Sequence, residues 1–121
     1  MDIVLNQDSL EPIYTQIYTQ ISTQIMNGTL VPGEKLPGIR QIANELRISV
    51  IPVKMAWEEL DKNGFIKTVN GSGTYVNELQ NHEIEDKKNK KAETLVLKTC
   101  KEAKESGISA DQLIELIRKL Y

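Results

Sequence analysis

Between Pro32 and Asn77 the sequence runs through two short amphipathic helical patterns and then a glycine-tipped hairpin, and that order leaves few folds open. Residues 38–46 place Ile39, Ile42, Ala43 and Leu46 on one helical face. Leu46–Arg47–Ile48–Ser49 reads as a turn, and Ser49 is a good N-cap for a helix over about 50–63. The inward face of that helix is Val53, Ala56, Trp57 and Leu60, an i, i+3, i+4, i+7 set. Gly64 stops it. Phe65–Val69 and Thr74–Asn77 are the arms of a hairpin, and Asn70–Gly71–Ser72–Gly73 supplies residues that tolerate positive φ. This is the plan of a winged helix-turn-helix, a module that presents one helix to a major groove and one hairpin to the neighbouring backbone.

The flanks add three helices. Pro12 suits a first turn, and Ile13, Ile17, Ile21 and Ile25 recur every fourth residue up to Gly28, so residues 12–27 read as a helix. It is β-branched and threonine-rich, and its stability must come from packing. Thr29–Pro37 holds two prolines and a glycine and is expected to be a structured loop. No Pro or Gly interrupts Glu78–Ser106, which predicts a long helix with a narrow apolar stripe of Ala92, Leu95, Val96, Thr99, Cys100 and Ala103. Ser109–Ala110–Asp111–Gln112 has capping-box spacing. A last helix follows, with Leu113, Leu116, Ile117 and Leu120 on one face. The fold class is therefore mostly α with a small β-hairpin. A winged helix-turn-helix domain over residues 1–77 precedes a helical tail over 78–121. Two amphipathic helices bury little area alone, so the tail must fold onto the first domain or pair with a second copy. A two-fold dimer would also read two half-sites.

Composition narrows the function. The net charge is −2, and within residues 32–77 six cations face five anions, leaving +1. Bulk charge does not announce nucleic-acid binding, so that reading rests on where the cations sit. With one cysteine, Cys100, no intrachain disulfide forms, and there is neither a signal-peptide pattern nor a run long enough to span a bilayer. A cytoplasmic protein is expected.

The start of the third helix offers Ser49, Val50, Ile51, Pro52 and Lys54 outward. Its free N–H groups and partial positive charge suit a phosphate. Ser49 caps its own helix and can also meet a phosphate. Val50 and Ile51 can touch thymine methyls but cannot read hydrogen-bond patterns. Pro52 in the first turn costs little. Arg40 and Lys54 are the best backbone contacts, and Lys35, Arg40, Lys54 and Lys67 are expected to gather near one surface and supply affinity rather than sequence choice. The hairpin tip, with Asn70 and Gly71, could lay bare N–H groups against a phosphate or the minor groove.

Catalysis finds little support. The one histidine, His82, lies in a polar stretch, and no Cys/His cluster has metal-ligand spacing, so neither metal nor cofactor is expected. Gly71–Ser72–Gly73 lacks the strand–loop–helix setting of a phosphate-binding loop. Cys100 sits on an apolar stripe and reads as packed, Trp57 as a core anchor, Glu58–Glu59 as a solvated face, and the lysines at 87–91 as solvated surface.

Taken together, Pro12–Ile13–Tyr14, Gly28–Thr29–Leu30–Val31–Pro32–Gly33–Glu34–Lys35–Leu36–Pro37–Gly38–Ile39–Arg40, Ile42–Ala43, Ala56–Trp57–Glu58–Glu59–Leu60, Gly64–Phe65–Ile66 and Gly71–Ser72–Gly73–Thr74–Tyr75–Val76 closely resemble the DNA-binding domain of GntR-family bacterial transcription regulators. The short two-helix tail resembles the YtrA-like subfamily. The resemblance covers about residues 10–77. It implies a homodimeric repressor on an inverted-repeat operator of double-stranded DNA, controlling its own operon and transporter genes. It implies DNA contacts from Arg40, from Ser49, Val50, Ile51, Pro52 and Lys54, and from Asn70 and Gly71 in the wing. It also makes the tail, with Leu95, Val96, Thr99, Ala103, Leu113, Leu116, Ile117 and Leu120, a dimerisation surface. Val50, Pro52, Met55, Arg47 and Gly38 depart from the family pattern, which bears on the operator sequence and not on the core. The tail is too small for an internal ligand pocket; a small-molecule effector, whose existence and identity the sequence does not give, could bind at the dimer interface. The rival reading is a winged-helix protein-interaction module that binds no DNA.

Overall fold

A computed structural model describes residues Met1–Tyr121 in two compact units, Met1–Leu79 and Gln80–Tyr121. The first contains α1 (Ile13–Met26), β1 (Lys35–Leu36), α2 (Ile39–Leu46), α3 (Val50–Lys62), β2 (Ile66–Val69) and β3 (Gly73–Val76). The second contains α4 (Asn81–Glu105) and α5 (Ala110–Leu120). The helices fall where the apolar periodicity places them.

In the first unit α1 packs chiefly on α3, α2 also packs on α3, and α3 leads into β2. Ile17 and Ile21 of α1 and Val53, Ala56 and Leu60 of α3 are fully buried, joined by Trp57, Leu30, Ile42, Phe65, Ile66 and Val76. Each such side chain stabilises the fold by roughly 1.5–3 kcal/mol for the larger aliphatics and aromatics. Tyr18 meets Phe65 edge-on at 6.1 Å, and its hydroxyl accepts from Asn63 Nδ2 at 3.0 Å. Burial pushes the Tyr18 hydroxyl above its ordinary range; the Asn63 bond opposes this and nearby Glu59 adds to it.

Two features of this unit differ from the sequence reading. The loop between the prolines contains a strand: Lys35–Leu36 pairs antiparallel with β3, giving a three-stranded sheet in the order β1–β3–β2. Two residues are too few for a period-2 pattern to register. The second feature is the N-terminal arm. Met1, Ile3 and Leu5 alternate inward onto the core, while the backbone of Asp2, Val4 and Asn6 faces glutamines of α1. The Val4 N–H donates to Gln20 Oε1 (2.8 Å) and Gln20 Nε2 donates to the Val4 carbonyl (2.7 Å). Gln16 does the same for Asn6, at 2.8 and 2.9 Å. Gln24 Nε2 donates to the Asp2 carbonyl at 2.6 Å, while its buried Oε1 finds no partner. Each carboxamide thus stands in for a peptide group of a neighbouring strand. The repeats match because four helical residues rise about 6.0 Å and two extended residues about 6.6 Å.

The turn between α2 and α3 is closed by backbone geometry. Arg47 is left-handed (φ 57°, ψ 46°), and the Ile48 N–H donates to the Ala43 carbonyl at 3.0 Å. This ending favours glycine, because a Cβ crowds the backbone in that conformation.

In the second unit, the α5 capping box forms in full. The Gln112 N–H donates to Ser109 Oγ (3.2 Å) and the Ser109 N–H donates to Gln112 Oε1 (2.9 Å). At the end of α4, Ile108 N–H donates to the Ala103 carbonyl at 2.9 Å.

Arg47→Gly is expected to raise stability by about 0.5–1 kcal/mol, relief of left-handed strain outweighing the added freedom of the unfolded chain. Urea unfolding checks this, and a drop in stability would show that the Arg47 side chain makes interactions worth more than the strain. Gln20→Ala should destabilise by about 1 kcal/mol, as expected for two partly exposed hydrogen bonds. In hydrogen exchange it should unprotect the Val4 amide while leaving the α3 amides protected.

Candidate nucleic-acid interface

Ser49 starts α3 in an extended conformation, and its Oγ accepts the Ile51 N–H at 3.0 Å. The bond goes to the second helical residue because Pro52, the third, has no N–H to give. The Ser49 hydroxyl proton stays available to a ligand. Val53, Ala56, Trp57 and Leu60 turn inward, so the helical repeat turns Ile51 and Met55 outward; Lys54 on the flank and Val50 at the start of the helix are exposed too. Val50 is 44% exposed, Ile51 65% and Met55 41%. Glu58 and Asp61 are exposed further along the helix. The surface without carboxylates is therefore the first two turns.

The sheet supplies a second surface through its register. Lys35 of β1 aligns with Tyr75 of β3, and Tyr75 aligns with Lys67 of β2. Aligned residues share a face, so this row places two lysines on either side of one tyrosine. The opposite face carries Leu36, Ile66 and Val76, which are buried in the core. Gly73 lies where Lys35 crosses the sheet: a Cβ there would come within 2.7 Å of Lys35 Cε, and its φ of 137° also favours glycine. The hairpin turns at Asn70–Gly71, with the Ser72 N–H donating to the Val69 carbonyl at 3.0 Å and the Ser72 and Tyr75 hydroxyls bonded to each other. The row thus offers two ammonium groups and hydroxyls on one face, a chemistry suited to phosphate oxygens.

Of the residues read from sequence, Lys35, Arg40, Ser49, Val50, Ile51, Lys54, Asn70 and Gly71 are exposed, and Pro52 is half-buried. Register brings Lys35 and Lys67 into one row; Arg40 and Lys54 stand exposed on α2 and α3. Met55, singled out in the sequence only as a departure from the family pattern, joins this surface one helical turn from Ile51. Tyr75 escaped sequence reasoning, because its place between the lysines needs the register of a strand that sequence did not predict.

In the tail, Leu95, Val96, Thr99, Leu116, Ile117 and Leu120 are exposed, and so are Leu97 and Ile114. Leu113 is half-buried, beside an open groove lined also by Ile108, Gln112 and Leu116. Ala103 differs from its expected role as a surface contact: it is buried within its own unit, where the chain turns back through Ile108. No group of three His, Cys, Asp or Glu is placed to hold a metal ion. No helix is long and apolar enough to cross a membrane.

Residues 13–76 match the family described as bacterial regulatory proteins, gntR family. Over 98% of its length the chain is 29% identical to the HTH-type transcriptional repressor YtrA of Bacillus subtilis, covering 91% of that protein. A GntR family transcriptional regulator from Listeria monocytogenes is similar in structure, with a TM-score of 0.76 and 33% identity over 93% of this chain and 97% of that one. The AraR(DBD) chain solved in complex with operator ORR3 is similar over 63% of this chain and 92% of its own, with a TM-score of 0.52 and 26% identity. With its helix-turn-helix and wing inside the matched span, the chain belongs to the GntR family of bacterial regulatory proteins.

Proposed function

We propose that this protein is a homodimeric repressor that binds an inverted-repeat operator in double-stranded DNA and controls its own operon and transporter genes. It is a DNA-binding transcription regulator and not an enzyme. The carrying observation is the exposed, carboxylate-free start of α3, in a unit whose core is already closed and whose sheet bears the Lys35–Tyr75–Lys67 row. In this reading α3 enters the major groove, and Arg40, Lys54 and the sheet lysines hold phosphates. The wing tip, Asn70–Gly71, reaches the minor groove. The similarity to AraR(DBD), solved in complex with operator ORR3, and to the YtrA repressor supports DNA binding and repression. Phosphate contacts release counterions, so log affinity falls linearly with log salt.

Pairing of two copies through the tail is supported by α5. Its apolar face, Ile114, Leu116, Ile117 and Leu120, is exposed within its own unit, as are Leu95, Val96 and Leu97 of α4. An exposed apolar helix face such as that of α5 marks an interaction site. A second copy covers it symmetrically and sets two α3 helices on one duplex. The near-neutral charge of residues 32–77 is what the protein-docking alternative has in its favour, and the salt titration separates the two.

Fluorescence-anisotropy titration on DNA from upstream of its own gene should show binding at low salt with a steep salt dependence. Joint substitution Lys35→Ala and Lys67→Ala should weaken binding to all sequences and flatten the slope by about 0.9 for each phosphate no longer neutralised. No binding at low salt, with a stable protein partner recovered instead, would favour the docking module. Leu116→Asp with Ile117→Asp should give a monomer by sedimentation and lower operator affinity at least tenfold; a variant that stays dimeric would remove the tail from the interface.

A further inference from the structure

The first two turns of α3 carry a mostly apolar exposed surface. Residues four apart stand one above the other, so Val50 and Lys54 form one row and Ile51 and Met55 the next. Three of these four exposed side chains are large and apolar; Ile51 and Met55 are neighbours on one row, and Val50 heads the next. Hydrogen-bonding capacity here is sparse. The Ser49 oxygen already accepts the Ile51 N–H, Pro52 has no N–H, and the Lys54 ammonium is a flexible point charge with N–H donors and no acceptor. No arginine, asparagine or glutamine is present in residues 48–55, so this stretch has no fork to grip guanine and no carboxamide to pair with adenine. Glu58 could accept from cytosine, but it lies seven residues, about 10 Å, behind Ile51 along the axis.

The major groove offers one apolar group at base edges, the 5-methyl of thymine. We propose that Val50, Ile51 and Met55 form a methyl-reading patch, and that each half-site presents a cluster of thymines there. This rests on the DNA-binding reading above and makes it chemically specific. Sequence choice at these base pairs comes from covering methyl groups and from the poor fit of a bare polar edge against aliphatic carbon, with Lys54 supplying a phosphate contact beside them. Met55 is the adaptable member, because its unbranched thioether follows small changes in methyl position.

Replacing thymine by deoxyuridine removes the methyl and leaves pairing and hydrogen-bond patterns unchanged. The operator is first selected from a random duplex pool with the full-length protein. It is then remade with deoxyuridine at the thymines of each half-site, and, as a control, only at thymines outside the protected region. Each methyl is worth about fourfold, from roughly 0.8 kcal/mol per buried carbon group. Removing three or more across two half-sites should therefore weaken binding at least 50-fold, while the control duplex binds as before. In the Ile51→Ala, Met55→Ala variant the deoxyuridine penalty should shrink several-fold, because the partners of the methyls are gone. Equal affinity for thymine and deoxyuridine operators, or a selected half-site built on G·C pairs, would overturn the methyl patch while leaving DNA binding intact. Failure to select any duplex at low salt would overturn both.

Discussion

Contact between the isoleucine face of α1 and the inward face of α3 is the constraint that organises the first unit. Helix α1 is built from isoleucine, threonine and tyrosine, residues that gain little from helix formation alone. Ile17 and Ile21 become fully buried together with Val53, Ala56 and Leu60 in one core. Burying that face of α3 determines which residues are left outside. Ile51 and Met55 lie on the side of α3 turned away from that face and Val50 and Lys54 along its flank, so all four stay exposed by the same packing that folds the unit.

The surrounding elements hold that presentation in place. The left-handed Arg47 lets the chain reverse between α2 and α3 within a few residues, and Ser49 fixes the first turn of α3. The sheet then closes the core with Leu36, Ile66 and Val76 on one side and leaves the two lysines and Tyr75 on the other. At the opposite end of the sequence the same logic runs in reverse. Helix α5 is well capped and amphipathic, but most of its apolar face finds no cover inside its own unit.

Much of the fold was legible because helical period and capping chemistry are local. Ile13, Ile17, Ile21 and Ile25 marked α1, Ser49 marked the start of α3, and Ser109 with Gln112 marked the start of α5. What was illegible was non-local. Strand β1 has two residues and exists only through its pairing with Tyr75 and Thr74 of β3. The N-terminal arm has strand-like alternation but no strand beside it; its partners are glutamine side chains, whose spacing of four becomes meaningful only once the arm is laid against α1. For the site, the helix residues were readable from periodicity and the lysines from their charge. The Lys35–Tyr75–Lys67 row required register. Ala103 shares the apolar stripe of α4 with exposed Leu95 and Thr99, and periodicity alone cannot tell which part of such a stripe its own chain will turn back to cover.

If the open face of the tail is covered by a second copy, two α3 surfaces meet a single duplex. Hydroxyl-radical footprinting of the purified protein on DNA upstream of its own gene is the decisive experiment. Two protected segments related by two-fold symmetry are expected, their centres about one helical turn or a whole multiple apart. A single unpaired footprint, or uniform cleavage at low salt where binding is strongest, would contradict a paired reader of DNA.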